Sequence, residues 1–229
     1  MKLVLLPGLD GTGHLFTPLL EHLDLSIQTQ IITYPSDKQL SLTELAHLIC
    51  EQVHFDDSTT LLAESFSGLV ALELLRLGKL SSLQQIIFCA SFTTPPRPWL
   101  LKIALQLPLD KLLNLPIPAL ALRQYGLGRH GNKKEIQRIQ QAISMVQPKV
   151  LAHRLKIISA SRPMLTEKLS VIPCHYLQAQ ADKLVLEHHA KLFQQYFSHV
   201  SIYTIPQAGH FLLQSQPKAC ADIIKAINR

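Results

Sequence analysis

The stretch Thr60-Leu61-Leu62-Ala63-Glu64-Ser65-Phe66-Ser67-Gly68-Leu69-Val70-Ala71 decides the fold. Its first part is short, apolar and unbroken, as a buried strand is, and its second part has helical periodicity, with room only for a tight turn between them. The pattern small-x-Ser-x-small centres that turn on Ser65. A nucleophile held at such a turn sits in a strained backbone conformation, so the residues two before and two after must be small for strand and helix to approach. Ala63 and Ser67 meet that need. Centring on Ser67 puts branched Leu69 two residues on, where it crowds the turn. Taken alone, the same letters suit a serine that merely caps a helix, so the reading depends on the rest of the chain.

Five other apolar runs resemble this strand, at residues 3–6, 30–34, 85–90, 174–179 and 201–205. They are continuous rather than alternating, which fits a parallel sheet covered by helices on both faces. Helical periodicity occupies 14–22, 41–53, 66–77, 187–197 and 217–227, with a capping-box pattern at Ser41-Leu42-Thr43-Glu44 and Gly78 after the third helix. Strand and helix in alternation predict a doubly wound α/β fold. The rhythm breaks between Ser91 and Pro173, where prolines and further helical patterns at about 134–145 and 150–160 occupy the room of an insertion. The expectation is one α/β domain over 1–229, a minimal six-stranded parallel sheet with a helical cap insertion at about 92–170.

A serine is a poor nucleophile at neutral pH, so Ser65 requires a base and an orienting carboxylate. In this architecture they follow the serine in the order acid then histidine, each just past a strand. The fifth strand runs into Gln180-Ala181-Asp182 and the sixth into Gly209-His210. Asp182 and His210 therefore complete a candidate catalytic set with Ser65, at the sheet edge where open α/β folds bind ligands. After the first strand comes Pro7-Gly8-Leu9-Asp10-Gly11-Thr12-Gly13. Acyl transfer builds negative charge on a carbonyl oxygen, and two backbone N–H groups stabilise it. Phe66, directly after the nucleophile, supplies one, and Leu9 in this loop is the expected second member of the oxyanion hole.

Other chemistries fit less well. The loop's G-x-x-G-x-G spacing hints at a dinucleotide site, but the only Tyr-x-x-x-Lys pair, Tyr34 and Lys38, comes too early for a short-chain dehydrogenase, and no P-loop motif occurs. Glu187, His188 and His189 could be imagined around a metal, yet adjacent helical histidines point about 100° apart, and a solvated face is the simpler reading. No metal and no cofactor are expected. Trp99, Leu100, Leu101, Ile103, Leu105, Leu107 and Leu109 suit either an acyl pocket or plain packing of the cap.

The chain has 229 residues, 47% hydrophobic and 17% charged, which excludes disorder and low-complexity scaffolds. Cys50, Cys89, Cys174 and Cys220 are far apart without C-x-x-C, so they read as buried thiols rather than disulfides or zinc ligands. The apolar run after Met1 is too short for a secretory segment, and the stretch at about 98–122 is broken by prolines and charges, so no membrane span and a cytoplasmic location are expected. The net charge of +6 hides an asymmetry. Between Phe92 and Ser170, thirteen lysines and arginines face three acids, whereas the rest has nine against thirteen. Without nucleic-acid motifs, this basic segment suits an acidic carrier protein, a CoA thioester or an anionic lipid surface, or is an ordinary solubilising face.

At Leu6-Pro7-Gly8-Leu9-Asp10-Gly11-Thr12-Gly13, around Ser65, at Asp182-Lys183-Leu184-Val185 and at Gly209-His210-Phe211-Leu212, the chain resembles the α/β-hydrolase superfamily over nearly its whole length. Pro-Gly-Leu-Asp-Gly-Thr-Gly and Glu-Ser-Phe are similar to the hydrolase portion of plant phytyl ester synthases and related diacylglycerol acyltransferase-like proteins, although the chain is too short for their appended acyltransferase domain. The resemblance implies Ser65, Asp182 and His210 as triad and acyl esters as substrates, as for an esterase or lipase. Ser67 departs from the superfamily's usual glycine, and no hairpin precedes the first strand. A carboxylic ester hydrolase is the leading expectation. An acyltransferase or thioesterase sharing its acyl-enzyme, and a non-catalytic receptor retaining the pocket, are the alternatives.

Overall fold

The computed structural model describes residues 2–128, 131–163 and 169–228. Six strands, β1 (Lys2–Leu6), β2 (Gln28–Ile31), β3 (Thr59–Glu64), β4 (Gln85–Cys89), β5 (Cys174–Ala179) and β6 (Val200–Ile205), form one sheet in the order β2-β1-β3-β4-β5-β6, every pairing parallel. The helices are α1 (Thr17–Leu20), α2 (Leu42–Gln52), α3 (Ser67–Arg76), α4 (Pro98–Ala104), α5 (Leu109–Leu112), α6 (Ala119–Ala121), α7 (Lys133–Ser144), α8 (Pro148–Ala160), α9 (His188–Leu192), α10 (Leu212–Ser215) and α11 (Pro217–Ile227). Five of them, α4 to α8, fall between β4 and β5, and a π-helical turn at Leu122–Leu127 follows α6.

Side chains alternate across the sheet, so each strand feeds two cores. Val4, Leu6, Leu61, Ile86 and Phe88 pack with α2 and α3, while Leu3, Leu5, Leu62, Ile87 and Leu177 pack with α1, α10 and α11. Strands buried on both faces account for their unbroken apolar sequences. Each such leucine or isoleucine contributes about 1.5–3 kcal/mol by leaving water.

Most expected elements fall within two residues of the observed ones. The second strand is the exception, ending at Ile31 rather than reaching residue 34. It is an edge strand of polar sequence, and the Tyr34 N–H turns away to donate to the Gly11 carbonyl at 2.8 Å. The helical pattern at 14–22 divides into a 3-10 turn at His14–Phe16 and α1, with Pro18 in the first turn of α1. The pattern at 187–197 likewise divides, into α9 and a 3-10 turn at Phe193–Gln195.

Strand order explains where the loops meet. Leu6 pairs with Ala63 and Ala179 with Ile205, so the loops after β1 and β3 leave one sheet edge side by side, as do those after β5 and β6. Because β1 lies between β2 and β3, the chain reverses direction across the sheet at β1. Open α/β sheets bind ligands at such a reversal.

Candidate active site

Ser65 has φ of 47°, in the left-handed region that L residues avoid. Such strain costs about 1–3 kcal/mol and persists only where the surroundings enforce it. Here the Ser65 N–H donates to the Cys89 carbonyl at 2.9 Å, and the Ser65 carbonyl accepts from the Gly68 N–H at 3.0 Å. A Cβ on Gly68 would lie 2.6 Å from the Ser91 Cβ, so α3 starts tight against the chain leaving β4. The close-approach glycine is thus Gly68. Ser67 is buried and uses its hydroxyl instead: it donates to the Pro7 carbonyl and lies 2.6 Å from the Tyr34 hydroxyl.

The structure brings Ser65, His210 and Asp182 together. Ser65 Oγ is 3.0 Å from His210 Nε2, and His210 Nδ1 is 2.9 Å from Asp182 Oδ2. The second carboxylate oxygen, Oδ1, accepts from the Leu184 and Val185 N–H groups at 2.7 and 2.8 Å. Those two bonds fix the carboxylate plane and leave Oδ2 for the imidazole. Asp182 and His210 are 8% and 9% exposed, so water competes little for either hydrogen bond. The His210 loop is clamped from the other side, where the Phe211 N–H donates to the Gly126 carbonyl at 2.9 Å. A Cβ on Gly209 would stand 2.5 Å from that carbonyl oxygen, so only glycine fits.

Burial lowers the His210 pKa, but the Asp182 charge, its hydrogen bond and Glu64 outweigh it, and the net shift is upward. Glu64 lies directly before Ser65 and is only 3% exposed. Burial first, then the Asp10 carboxylate, raises its pKa to about 8, with His210 and the Gly8 N–H opposing. At neutral pH it is mainly a neutral acid, and its Oε2 has no partner among the described residues.

Leu9 lies in the loop after β1 and lines the cavity, and Phe66 follows Ser65 directly. Neither amide N–H has an acceptor among the described residues. The loop that carries Leu9 is held from above by Arg154 of α8, which is 3% exposed. Its Nη1 donates to the Leu9 and Asp10 carbonyls at 2.8 and 2.9 Å, its Nη2 to the Pro35 carbonyl at 3.1 Å, and its guanidinium lies 5.6 Å from the Tyr34 ring centre. Arg154, Tyr34 and Glu64 were not legible as site residues. Arg154 reads as one more solvated charge, because nothing local to a helix reports a buried contact with a loop 145 residues away.

A cavity of about 590 Å³ opens over Ser65 and His210, its wall formed by Leu15, Leu101, Leu122, Ile143, Ile158 and Phe211. Its polar edge is Asp10, Glu64 and Arg97. Leu100 and Tyr125 also line it while being exposed, which marks where it meets solvent. Of the leucine-rich run expected to line a pocket or pack the cap, Leu100 and Leu101 reach the cavity. Trp99, Ile103 and Leu107 do neither and are 59%, 56% and 50% exposed.

His189 departs from its expected solvated face. It is 2% exposed, and burial, then His188, pushes its pKa down to about 4. Among the described residues no cluster of three His, Cys, Asp or Glu side chains could hold a metal. All four cysteines are free; Cys50 is half-buried and the others are buried. No helix among the described residues is long and apolar enough to cross a membrane.

The profile of the Alpha/beta hydrolase family matches residues 3–223. No curated protein matches the chain by sequence. Among solved structures, the esterase EaEST from Exiguobacterium antarcticum superposes with a TM-score of 0.79 at 12% identity, covering 100% of this chain and 91% of its own. A bromoperoxidase from Bacillus anthracis gives 0.76 at 12% identity, covering 98% and 90%. The type II thioesterase BorB from the borrelidin biosynthetic cluster gives 0.69 at 18% identity, covering 100% and 92%. Strand order, the strained serine after β3 and the family match agree: the chain belongs to the alpha/beta hydrolase family.

Proposed function

We propose that this chain is a serine hydrolase of carboxylic acyl esters that needs no cofactor. The observation that carries the reading is the unbroken hydrogen-bond chain from Ser65 through His210 to Asp182 at the base of an apolar cavity. Ser65 Oγ attacks the ester carbonyl while His210 Nε2 takes its proton, and the carbonyl π electrons move onto oxygen. The Leu9 and Phe66 N–H groups stabilise that oxyanion by several kcal/mol. Collapse breaks the bond to the alcohol oxygen, which takes the proton from His210. Water, deprotonated by the same imidazole, then cleaves the acyl-enzyme and releases the acid. Asp182 holds the imidazole in the tautomer with hydrogen on Nδ1. The four free thiols fit a reducing, cytoplasmic setting.

The likeness of residues 7–13 and 64–66 to phytyl ester synthase and diacylglycerol acyltransferase-like proteins favours one variant, in which an alcohol replaces water in the second step. Product analysis with and without a long-chain alcohol separates the two.

The test is hydrolysis of p-nitrophenyl esters of graded chain length across pH. Acyl chains long enough to enter the cavity are turned over best. Because the base must be neutral and the Asp182 carboxylate holds the His210 pKa above the usual imidazole range, kcat/KM falls as pH drops through that raised pKa. As pH rises through about 8, Glu64 ionises beside the developing oxyanion, and kcat/KM falls again. Glu64→Gln keeps the acid limb and removes the alkaline one. A rate flat to pH 5 with the fold intact excludes His210 as base.

Arg154 positions the oxyanion loop from α8. Arg154→Met lowers kcat about 10- to 100-fold, within reach of the loss from removing an oxyanion donor, with KM little changed. Arg154→Lys recovers part of it, since one ammonium reaches two carbonyls. A purely structural role would lower thermal stability without this kcat against KM split.

A further inference from the structure

The segment between β4 and β5 leaves many of its large apolar side chains exposed, most of them in its first half. Of thirteen large hydrophobic residues exposed among the described residues, ten lie between Trp99 and Leu169. Helices α4 and α6 bury no residue. Trp99 and Ile103 lie one turn apart on α4, and Leu107, Leu112, Leu115 and Leu120 are exposed along the chain that follows, which Pro108, Pro116 and Pro118 break. So many large apolar side chains left exposed within one segment mark an interaction surface.

Charge identifies the occupant. From Pro98 to Lys134 the sequence carries Lys102, Lys111, Arg123, Arg129, Lys133 and Lys134 against Asp110 alone. Lys102, Lys111, Arg123, Lys133 and Lys134 are exposed, and none forms an ion pair among the described residues. A second copy of the chain docked face to face would present the same positive charge and be repelled. Large apolar side chains spread over three short helices and proline-broken loops form a broad surface rather than a groove for one protein segment. A fluid hydrocarbon layer accepts them without fixed partners, and anionic headgroups pair with the flanking cations. The cavity meets solvent at Leu100 and Tyr125, within the same segment. We propose that this face docks on a lipid surface bearing anionic headgroups, so that an acyl chain can pass from the lipid into the cavity without crossing water.

The test is co-sedimentation of the full chain with vesicles of phosphatidylcholine alone or with one third phosphatidylglycerol. The protein binds the anionic vesicles, and binding falls with salt because the attraction is screened within about 8 Å at 0.15 M. Lys102→Glu with Lys111→Glu weakens it at least 25-fold, from about fivefold for each lysine lost. Trp99→Ser with Ile103→Ser weakens it about tenfold or more. Neither pair touches the cavity, so both double variants hydrolyse a soluble short-chain ester at the wild-type rate. No binding to anionic vesicles overturns the proposal, as does equal binding by wild type and both double variants. Capture by an acidic carrier protein in place of vesicles, or a stable dimer that shields Trp99, also overturns it. Docking without ester turnover leaves this proposal standing and removes the hydrolase reading instead.

Discussion

Ser65→Ala removes ester turnover, with kcat falling about 10⁴- to 10⁶-fold, and abolishes labelling by an organophosphonate. Alanine deletes only Oγ, the atom 3.0 Å from His210 Nε2. The backbone demand at this position is unchanged, since φ of 47° strains alanine much as it strains serine. The variant therefore folds, and the loss is chemical. What activity remains comes from the oxyanion donors and cavity acting on water alone, with acylation blocked. Stoichiometric labelling of the alanine variant at another serine would remove Ser65 from the mechanism. Ser67 is the nearest rival by sequence, but its hydroxyl is buried and already engaged by Pro7 and Tyr34.

The second large effect is at the carboxylate. Asp182→Asn keeps size and shape but sets an amide opposite the imidazole. Oδ1 already accepts two N–H groups, from Leu184 and Val185, so the asparagine oxygen takes that place and its NH₂ faces His210 Nδ1. Nδ1 then has to accept, which moves the ring proton to Nε2, the atom that must take the serine proton. The expected fall in kcat is about 10⁴-fold with KM little altered. Asp182→Ala also loses the two loop bonds and lowers stability, so asparagine is the sharper probe. A fall of less than tenfold would show that another group orients His210.

Much of this was legible locally. A buried parallel strand must be continuously apolar, a nucleophile elbow must have small flanks, and a capped helix must start on an acceptor such as Ser41, whose capping box with Glu44 forms as read. These constraints act within a few residues. The second strand stops at Ile31 although residues 30–34 satisfy β propensity, because the competing partner for Tyr34, the Gly11 carbonyl, is remote in sequence.

The sequence by itself determined the alternation of strands and helices and the elbow at Ser65, because each is a requirement of backbone geometry written into neighbouring residues, and it marked Asp182 and His210 by their places just past two strands. Only the tertiary structure decided which groups surround them. Glu64 becomes a neutral acid, Arg154 a clamp on the loop after β1, Ser67 a hydrogen-bonding replacement for glycine, and Trp99 and Ile103 an exposed face. For Glu64, Arg154 and Ser67 the deciding quantity is burial against a segment distant in sequence, and for Trp99 and Ile103 it is the lack of any such segment. Desolvation, hydrogen bonding and charge pairing depend on that neighbour rather than on the residue's own identity.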